Sequence, residues 1–131
     1  MVRVSVVVPT FRRPDLLDRC LTALLAQNLD PAQYEILIAD DAASQATEKQ
    51  VKRRAEQTGV TVRYLAVTGA HGPAAARNVG WRLARGLIIA FTDDDCIPDS
   101  NWLKEGLAAF DNEMTAVTGR VVVPRPKTPT D

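Results

Sequence analysis

The sequence is poor in the residues that mark several protein classes. It holds one histidine and two cysteines, Cys20 and Cys96, in 131 residues. Two isolated cysteines make neither a disulfide framework nor a metal-ligand spacing, and their scarcity fits a reducing cytoplasm. There is no surplus of either charge: 16 basic and 16 acidic residues leave a net charge of zero, whereas a nucleic-acid binder normally shows a basic excess. No apolar run approaches the length needed to span a bilayer. Met1-Val2-Arg3-Val4-Ser5 lacks the layout of a signal peptide and reads as the start of a strand. Internal repeats are missing, and no domain linker precedes the proline-rich end. What remains is one domain's worth of chain, able to bury a single sizeable core. Its 46% apolar and 24% charged content is that of an ordinary globular protein.

Hydrophobic periodicity alternates between two kinds along the chain. Val4–Val8 is a nearly unbroken β-branched run suited to a strand buried on both faces, ended by Pro9. Pro14 suits the first turn of a helix, and Leu16, Leu17, Cys20, Leu21, Leu24 and Leu25 give that helix, to Gln27, one apolar face. A second strand, Tyr34–Ala39, ends at Asp40-Asp41. The next helix, capped by Ser44 or Thr47 and running to Gln57, has little beyond Val51 and Ala55 to anchor it and is expected at the periphery. Val60–Val67 reads as a third strand, and Thr68–Pro73 as a small flexible loop. A helix over Pro73–Arg85 follows, with Ala75, Ala76, Val79 and Leu83 as its buried stripe. Leu87–Phe91 is a fourth strand. Ser100 is the expected cap of a helix carrying Trp102, Leu103, Leu107 and Phe110, and Thr115–Val123 is the expected fifth strand. Residues 1–123 are expected to form the domain, and 124–131 a loose tail at a truncation point.

Strands alternating with helices imply right-handed crossovers and a mainly parallel sheet with helices on both faces, a Rossmann-like α/β fold. In such a sheet, ligands bind where the strands end. The strand ends collect Pro9-Thr10, Asp40-Asp41, the Gly69–Gly72 loop and Asp93-Asp94-Asp95, while the opposite edge carries Gly59, Gly86 and long polar residues. If the chain doubles back after the third strand, the first and fourth become neighbours and Thr10 faces the acidic triplet. Three adjacent carboxylates repel one another unless something compensates, and hard divalent cations take such oxygens. Alternation along an extended chain lets Asp93 and Asp95 face one point, with Asp94 turned elsewhere. A cation held by two carboxylates keeps positions open for substrate phosphates. The glycine loop and Arg77 could reach the same crevice, and Asp40-Asp41 suit hydrogen-bond donors on a base or ribose. A nucleoside diphosphate with its metal is the ligand this pattern describes.

Four segments resemble the family 2 glycosyltransferases: Val4-Ser-Val-Val-Val-Pro-Thr-Phe-Arg-Arg13, Glu35-Ile-Leu-Ile-Ala-Asp-Asp41, Ala74-Ala-Ala-Arg-Asn-Val-Gly80, and Phe91-Thr-Asp-Asp-Asp-Cys-Ile-Pro98 with Asn101-Trp102-Leu103 after it. The resemblance covers Val4 to Pro124 and implies the nucleotide-binding half of a GT-A fold. It implies a nucleotide-sugar donor, most often a UDP-sugar, and transfer to an acceptor hydroxyl with inversion. By position, Pro9 and Thr10 would line the base pocket, Asp41 would contact the base with Arg77 nearby, and Asp94 would face the ribose or diphosphate. Arg12, with Arg13 beside it, is the candidate for phosphate. Asp95, with Asp93, would hold Mn²⁺ or Mg²⁺. The acceptor would be a saccharide or a lipid-linked sugar, and the enzyme cytoplasmic, with peripheral attachment at the inner membrane face left open. Two departures stand out. The family commonly has a Gly-Ser pair after the second aspartate, where this chain has Ala42-Ala43-Ser44. The family's acceptor-binding half and catalytic base lie beyond the metal motif, so no general base is assigned.

His71 has no evident partner and reads as a loop residue. Trp81, Trp102 and Cys20 read as packing residues, and Cys96 shows no sign of reactivity. A non-catalytic nucleotide-binding module is the alternative function. A receiver-type signalling domain would need an acidic pair after the first strand and a lysine after the fifth; Pro9-Thr10 and Val121–Pro124 supply neither.

Overall fold

A computed structural model describes residues 1–110 of the chain. The expected fifth strand, Thr115–Val123, and the tail at 124–131 lie outside the described residues. Four parallel strands form one sheet: β1 (Val4–Thr10), β2 (Tyr34–Asp40), β3 (Thr61–Ala66) and β4 (Ile88–Phe91), in the order β3-β2-β1-β4. The chain therefore does double back after β3, and β1 lies between β2 and β4. Helices α1 (Pro14–Leu25), α2 (Gln45–Glu56) and α3 (Pro73–Leu83) make the crossovers, and α4 (Trp102–Ala109) follows β4 and packs on the sheet through Leu103.

Alternation along the strands sorts the core into two faces. Val4, Val6, Val8, Ile36 and Ile38 pack with Leu17, Cys20, Leu21 and Leu24 of α1, Val51 of α2 and Leu103 of α4. Helix α3 covers the other face against β1 and β2. Its anchor is Gly80 rather than the expected Leu83, which is 48% exposed. A Cβ on Gly80 would lie 2.3 Å from Val7 Cγ1. Absence of a side chain is thus what lets α3 approach β1, a signal that an apolar-stripe reading passes over. Trp81, expected to pack, is 47% exposed, and its Nε1–H donates to Asn78 Oδ1 at 3.0 Å.

Pro9 does not end β1; the strand continues to Thr10, paired with β2 throughout. Thr92 N donates to Val7 O and Asp41 N to Thr10 O, so Val7 and Pro9 face β4, while Thr10 faces β2. Beyond Phe91, which pairs Val7, the β4 ladder has stopped. The proline's missing N–H falls where no partner waits, which is where a strand tolerates proline. Helix α2 is capped by Ser44, whose hydroxyl accepts from Thr47 N at 3.4 Å. Helix α4 follows Asn101, whose amide donates to Asp99 Oδ1 at 2.9 Å; Ser100 is not its cap.

The opposite end of the sheet holds a buried ion cluster. Glu35 is fully buried and accepts from Ser5 Oγ at 2.6 Å, from Arg85 N at 2.8 Å and from Arg63 at 3.2 Å. It lies on the α3 face, where the helix has run out and Arg63 also donates to Leu83 O at 2.8 Å. Burial raises the Glu35 carboxyl pKa, but the hydrogen bonds from Ser5, Arg85 and Arg63 outweigh it and leave the group below its ordinary range.

Candidate functional site

The ends of all four strands open toward one edge. There a crevice of about 460 Å³ is lined by Pro9, Thr10, Phe11 and Arg13 after β1, and by Asp41 after β2. Gly72, Pro73, Ala76 and Arg77 line it at the start of α3, and Asp93, Asp94 and Asp95 after β4. Six of the seven sequence candidates for donor binding, Pro9, Thr10, Asp41, Arg77, Asp93 and Asp94, share it with Asp95. Arg12 does not. Its backbone sits at φ 55°, which redirects the side chain. The Arg12 guanidinium lies over the Phe11 ring at 5.2 Å and lines a separate cavity of about 510 Å³ with Pro14, Ala42, Ser44, Ala46, Thr47 and Gln50. Arg13 takes the place in the crevice. No periodicity distinguishes two consecutive arginines in a turn, so sequence reasoning had no means of choosing between them.

Asp94 is the crevice's buried acid, 4% exposed. Thr10 Oγ1 donates to Asp94 Oδ2 at 2.8 Å, and Arg13 Nη1 to Oδ1 at 3.3 Å. Burial pushes its carboxyl pKa up. The Thr10 hydrogen bond and the Arg13 charge pull the other way without overcoming burial, and the Asp95 and Asp93 charges add to the rise. Asp93 and Asp95 are exposed, so the alternation expected of the triplet survives although a turn, closed by Cys96 N to Asp93 O at 3.1 Å, replaces extended chain. Arg77 Nη2 stands 3.3 Å from Asp93 Oδ1, an exposed pair of the kind that contributes little stability. Both cysteines lie behind the turn: Cys20 Sγ is 3.6 Å from Asp93 O, and Cys96 Sγ is 3.7 Å from Asp95 Oδ1. Burial, then the neighbouring Cys96 and acid charges, push the Cys20 thiol up to about 12, which leaves it protonated and unreactive.

The two aspartates after β2 divide. Asp40 is fully buried and spent internally. Its carboxylate accepts from Ala42 N at 3.0 Å, Ser44 N at 2.9 Å and Tyr64 Oη at 2.7 Å. It shapes the turn into α2 and has nothing to offer a ligand, which corrects its pairing with Asp41 as a base contact. Asp41 lines the crevice and accepts from Gly72 N at 2.9 Å and His71 Nδ1 at 2.7 Å. The Gly72 amide and then His71 hold its carboxyl below the ordinary range. His71 therefore has a partner that the sequence did not reveal, because a loop contact with a residue 30 positions earlier has no periodic signature.

Among the described residues no group of three or more histidine, cysteine or acidic side chains is arranged to hold a metal ion. Asp93 and Asp95 are exposed hard-oxygen donors at the crevice. That donor set suits Mg²⁺ or Mn²⁺ completed by phosphate oxygens and water rather than by a protein cage.

Residues 5–131 match the family model described as Glycosyl transferase family 2. The glycosyltransferase AglE of Haloferax volcanii is 29% identical over 116 residues, 88% of this chain and 38% of that protein. Among solved structures, a mannosyltransferase from Pyrobaculum calidifontis in complex with GDP-Man and Mn²⁺ aligns with a TM-score of 0.70 at 29% identity, over 81% of this chain and 30% of that one. Staphylococcus aureus TarS in complex with UDP-GlcNAc aligns with a TM-score of 0.69 at 27% identity, over 82% of this chain and 30% of that one. The chain thus spans less than two fifths of the length of each.

Proposed function

The chain belongs to glycosyl transferase family 2, and from that footing we propose that it forms the donor end of a glycosyltransferase site. The donor would be a UDP-sugar bound with Mn²⁺ or Mg²⁺, and the sugar would pass to an acceptor hydroxyl with inversion. One observation carries this reading: the ends of β1, β2 and β4 and the start of α3 deliver a hydroxyl, two arginines and four carboxylates to a single crevice. The sheet edge of a parallel α/β fold is where nucleotides bind.

Pro9 and Thr10 line the base end, and Asp41 offers its carboxylate to an N–H of the base. Asp94 holds Thr10 and Arg13 at the crevice wall, so that Arg13 and Arg77 bracket the position of the diphosphate. Asp95, with Asp93, would hold the cation, Asp93 exchanging its exposed contact with Arg77 for the metal. When bound, the cation supplies charge neutralisation for the leaving nucleoside diphosphate as the anomeric bond breaks. Inversion also needs a base to take the acceptor's proton; the crevice carboxylates all have work on the donor side, and none is assigned that step. Binding of GDP-Man with Mn²⁺ by one structural neighbour and of UDP-GlcNAc by another supports both the ligand class and the cation.

Calorimetry with UDP, with and without Mn²⁺, tests the reading. Binding strengthened by Mn²⁺ is expected, and Asp95→Ala should remove the Mn²⁺ increment while leaving metal-free binding in place. Absence of binding under both conditions would overturn the donor site.

A further inference from the structure

Asp41 takes two hydrogen bonds from within the chain. Gly72 N donates to Oδ2 at 2.9 Å and His71 Nδ1 lies 2.7 Å from Oδ1. A carboxylate only accepts, so Nδ1 carries the proton. The two donors differ in kind. The Gly72 amide is fixed where the backbone enters α3. The His71 side chain is 62% exposed against 13% for Asp41, and it shows no other hydrogen-bond partner among the described residues. It rides on a loop whose Gly69 and Gly72 sit at φ 84° and 106°. Positive φ is open to glycine at low cost, so the loop holds this path without strain, while the exposed imidazole can turn about its own side-chain bonds. The imidazole therefore covers one face of the crevice acid and can be withdrawn from it.

We propose that His71 is a displaceable occupant of the base-contacting acid: its imidazole N–H fills Asp41 in the free chain, and an incoming nucleotide base supplies its own N–H in exchange. The proposal rests on the donor-site reading, in which Asp41 contacts the base. It makes His71 a residue that sets nucleotide affinity without touching the transferred sugar. It also fixes a direction with pH. Histidine changes charge between about pH 5 and 8. A protonated imidazole is held to Asp41 by charge as well as by the hydrogen bond, so eviction is harder in acid and easier as pH rises. The other charged groups around this end are Arg77 on α3, Arg13 after β1, and Asp93, Asp94 and Asp95 across the crevice.

The test is the UDP dissociation constant of the whole chain and of His71→Ala, each measured with Mn²⁺ at pH values of about 5.5 and 8. Ionisation of the UDP phosphates is common to both proteins and cancels in the ratio. His71→Ala should bind UDP about three- to tenfold more tightly at the acid end, with the advantage shrinking toward neutrality and above. His71→Gln, a neutral donor, should remove the change of the ratio with pH. Because the chain has a single histidine, its ring signals in proton NMR report the exchange directly and should move when UDP binds. Equal or weaker binding by His71→Ala at both pH values, or ring signals unmoved by UDP that does bind, overturns the proposal and leaves the donor site standing. If neither protein binds UDP, the donor-site reading itself falls, and this one with it.

Discussion

The sheet buries Glu35 at one end and Asp40 and Asp94 at the other, and the fold treats Glu35 and Asp94 in opposite ways. Glu35, at the end where the strands begin, collects a hydroxyl, a backbone amide and a guanidinium within 2.6 to 3.2 Å. Asp94, at the end where they finish, has one hydroxyl at 2.8 Å and one guanidinium at 3.3 Å. Burial raises both pKa values; partners overcome it at Glu35 and fail to at Asp94. The difference separates a charge that closes a structure from one left partly uncompensated at the crevice, where the proposed donor would complete the set. Removing each acid should therefore affect different quantities.

The largest effect is expected at Glu35. Glu35→Ala leaves Arg63, Ser5 and the Arg85 amide facing an empty site, and breaking a buried pair costs about 3–5 kcal/mol. Arg63 is 22% exposed and can recover some hydration, so the low end of that range is expected in urea unfolding. The pH dependence follows from the depressed carboxyl. Its contribution is whole above the ordinary value of 4.5 and is lost as pH falls through the lower folded value. The stability gap between the native chain and Glu35→Gln should accordingly close in acid. A gap that widened in acid would put Glu35 on the same footing as Asp94.

Gly80→Ala comes next, because α3 ties the two ends together, with Arg77 toward the crevice and Arg85 just beyond its last turn. The added methyl would lie 2.3 Å from a β-branched side chain on a central strand. Overpacking of this kind costs about 1–3 kcal/mol, partly offset by the roughly 1 kcal/mol that alanine gains over glycine in a helix. Thermal unfolding should show a net loss of about 1 kcal/mol, and UDP affinity should drop with it. Lost stability with intact affinity would mean that the two ends are not coupled through this helix.

At Asp94 the signs should reverse. Asp94→Asn keeps the shape and an acceptor for Thr10 while removing a charge that burial disfavours. The unfolding temperature should hold or rise, and UDP affinity should fall about tenfold, the cost of about one charge-assisted contact. If Asp94→Asn lost as much stability as Glu35→Gln, the contrast between the ends would collapse.

The same contrast marks what the sequence could tell. The parallel strands and the residues at their ends were legible because acids and glycines follow mostly apolar runs, whereas the β1–β4 adjacency stood only as a condition until the pairing was seen. Glu35 was not, since one acid at the start of an apolar strand reads as a solvated end until Ser5 and Arg63 are known to flank it across the sheet. Pro9 read as a stop because its tolerance depends on where β4 ends, a fact of pairing rather than of local pattern. Arg12 and Arg13 are indistinguishable in sequence because a single residue at φ 55° decides which of the two faces inward. In each case the missing information was a partner distant in sequence or a backbone angle.

Ala43 shows how small such a hidden term can be and still be measured. It sits at φ 48° in the Ala42-Ala43-Ser44 turn, where the left-handed region costs an L-residue roughly 1–2 kcal/mol. The turn is held because Asp40 grips both sides of it: Ala42 N and Ser44 N bond its carboxylate, and Ala43 N bonds its carbonyl at 3.2 Å. Glycine would relieve that strain while adding about 0.5–1 kcal/mol of backbone freedom to the unfolded chain. Ala43→Gly should therefore stabilise by about 0.5 kcal/mol in urea titration. Its effect on UDP separates two roles for the turn. Unchanged affinity means that Asp40 carries the strain for folding alone. Weakened affinity means that the strained turn also sets the carboxylate of Asp41, one residue beyond β2, and the contrast between the two ends of the sheet would then extend to β2 as well as to Asp94.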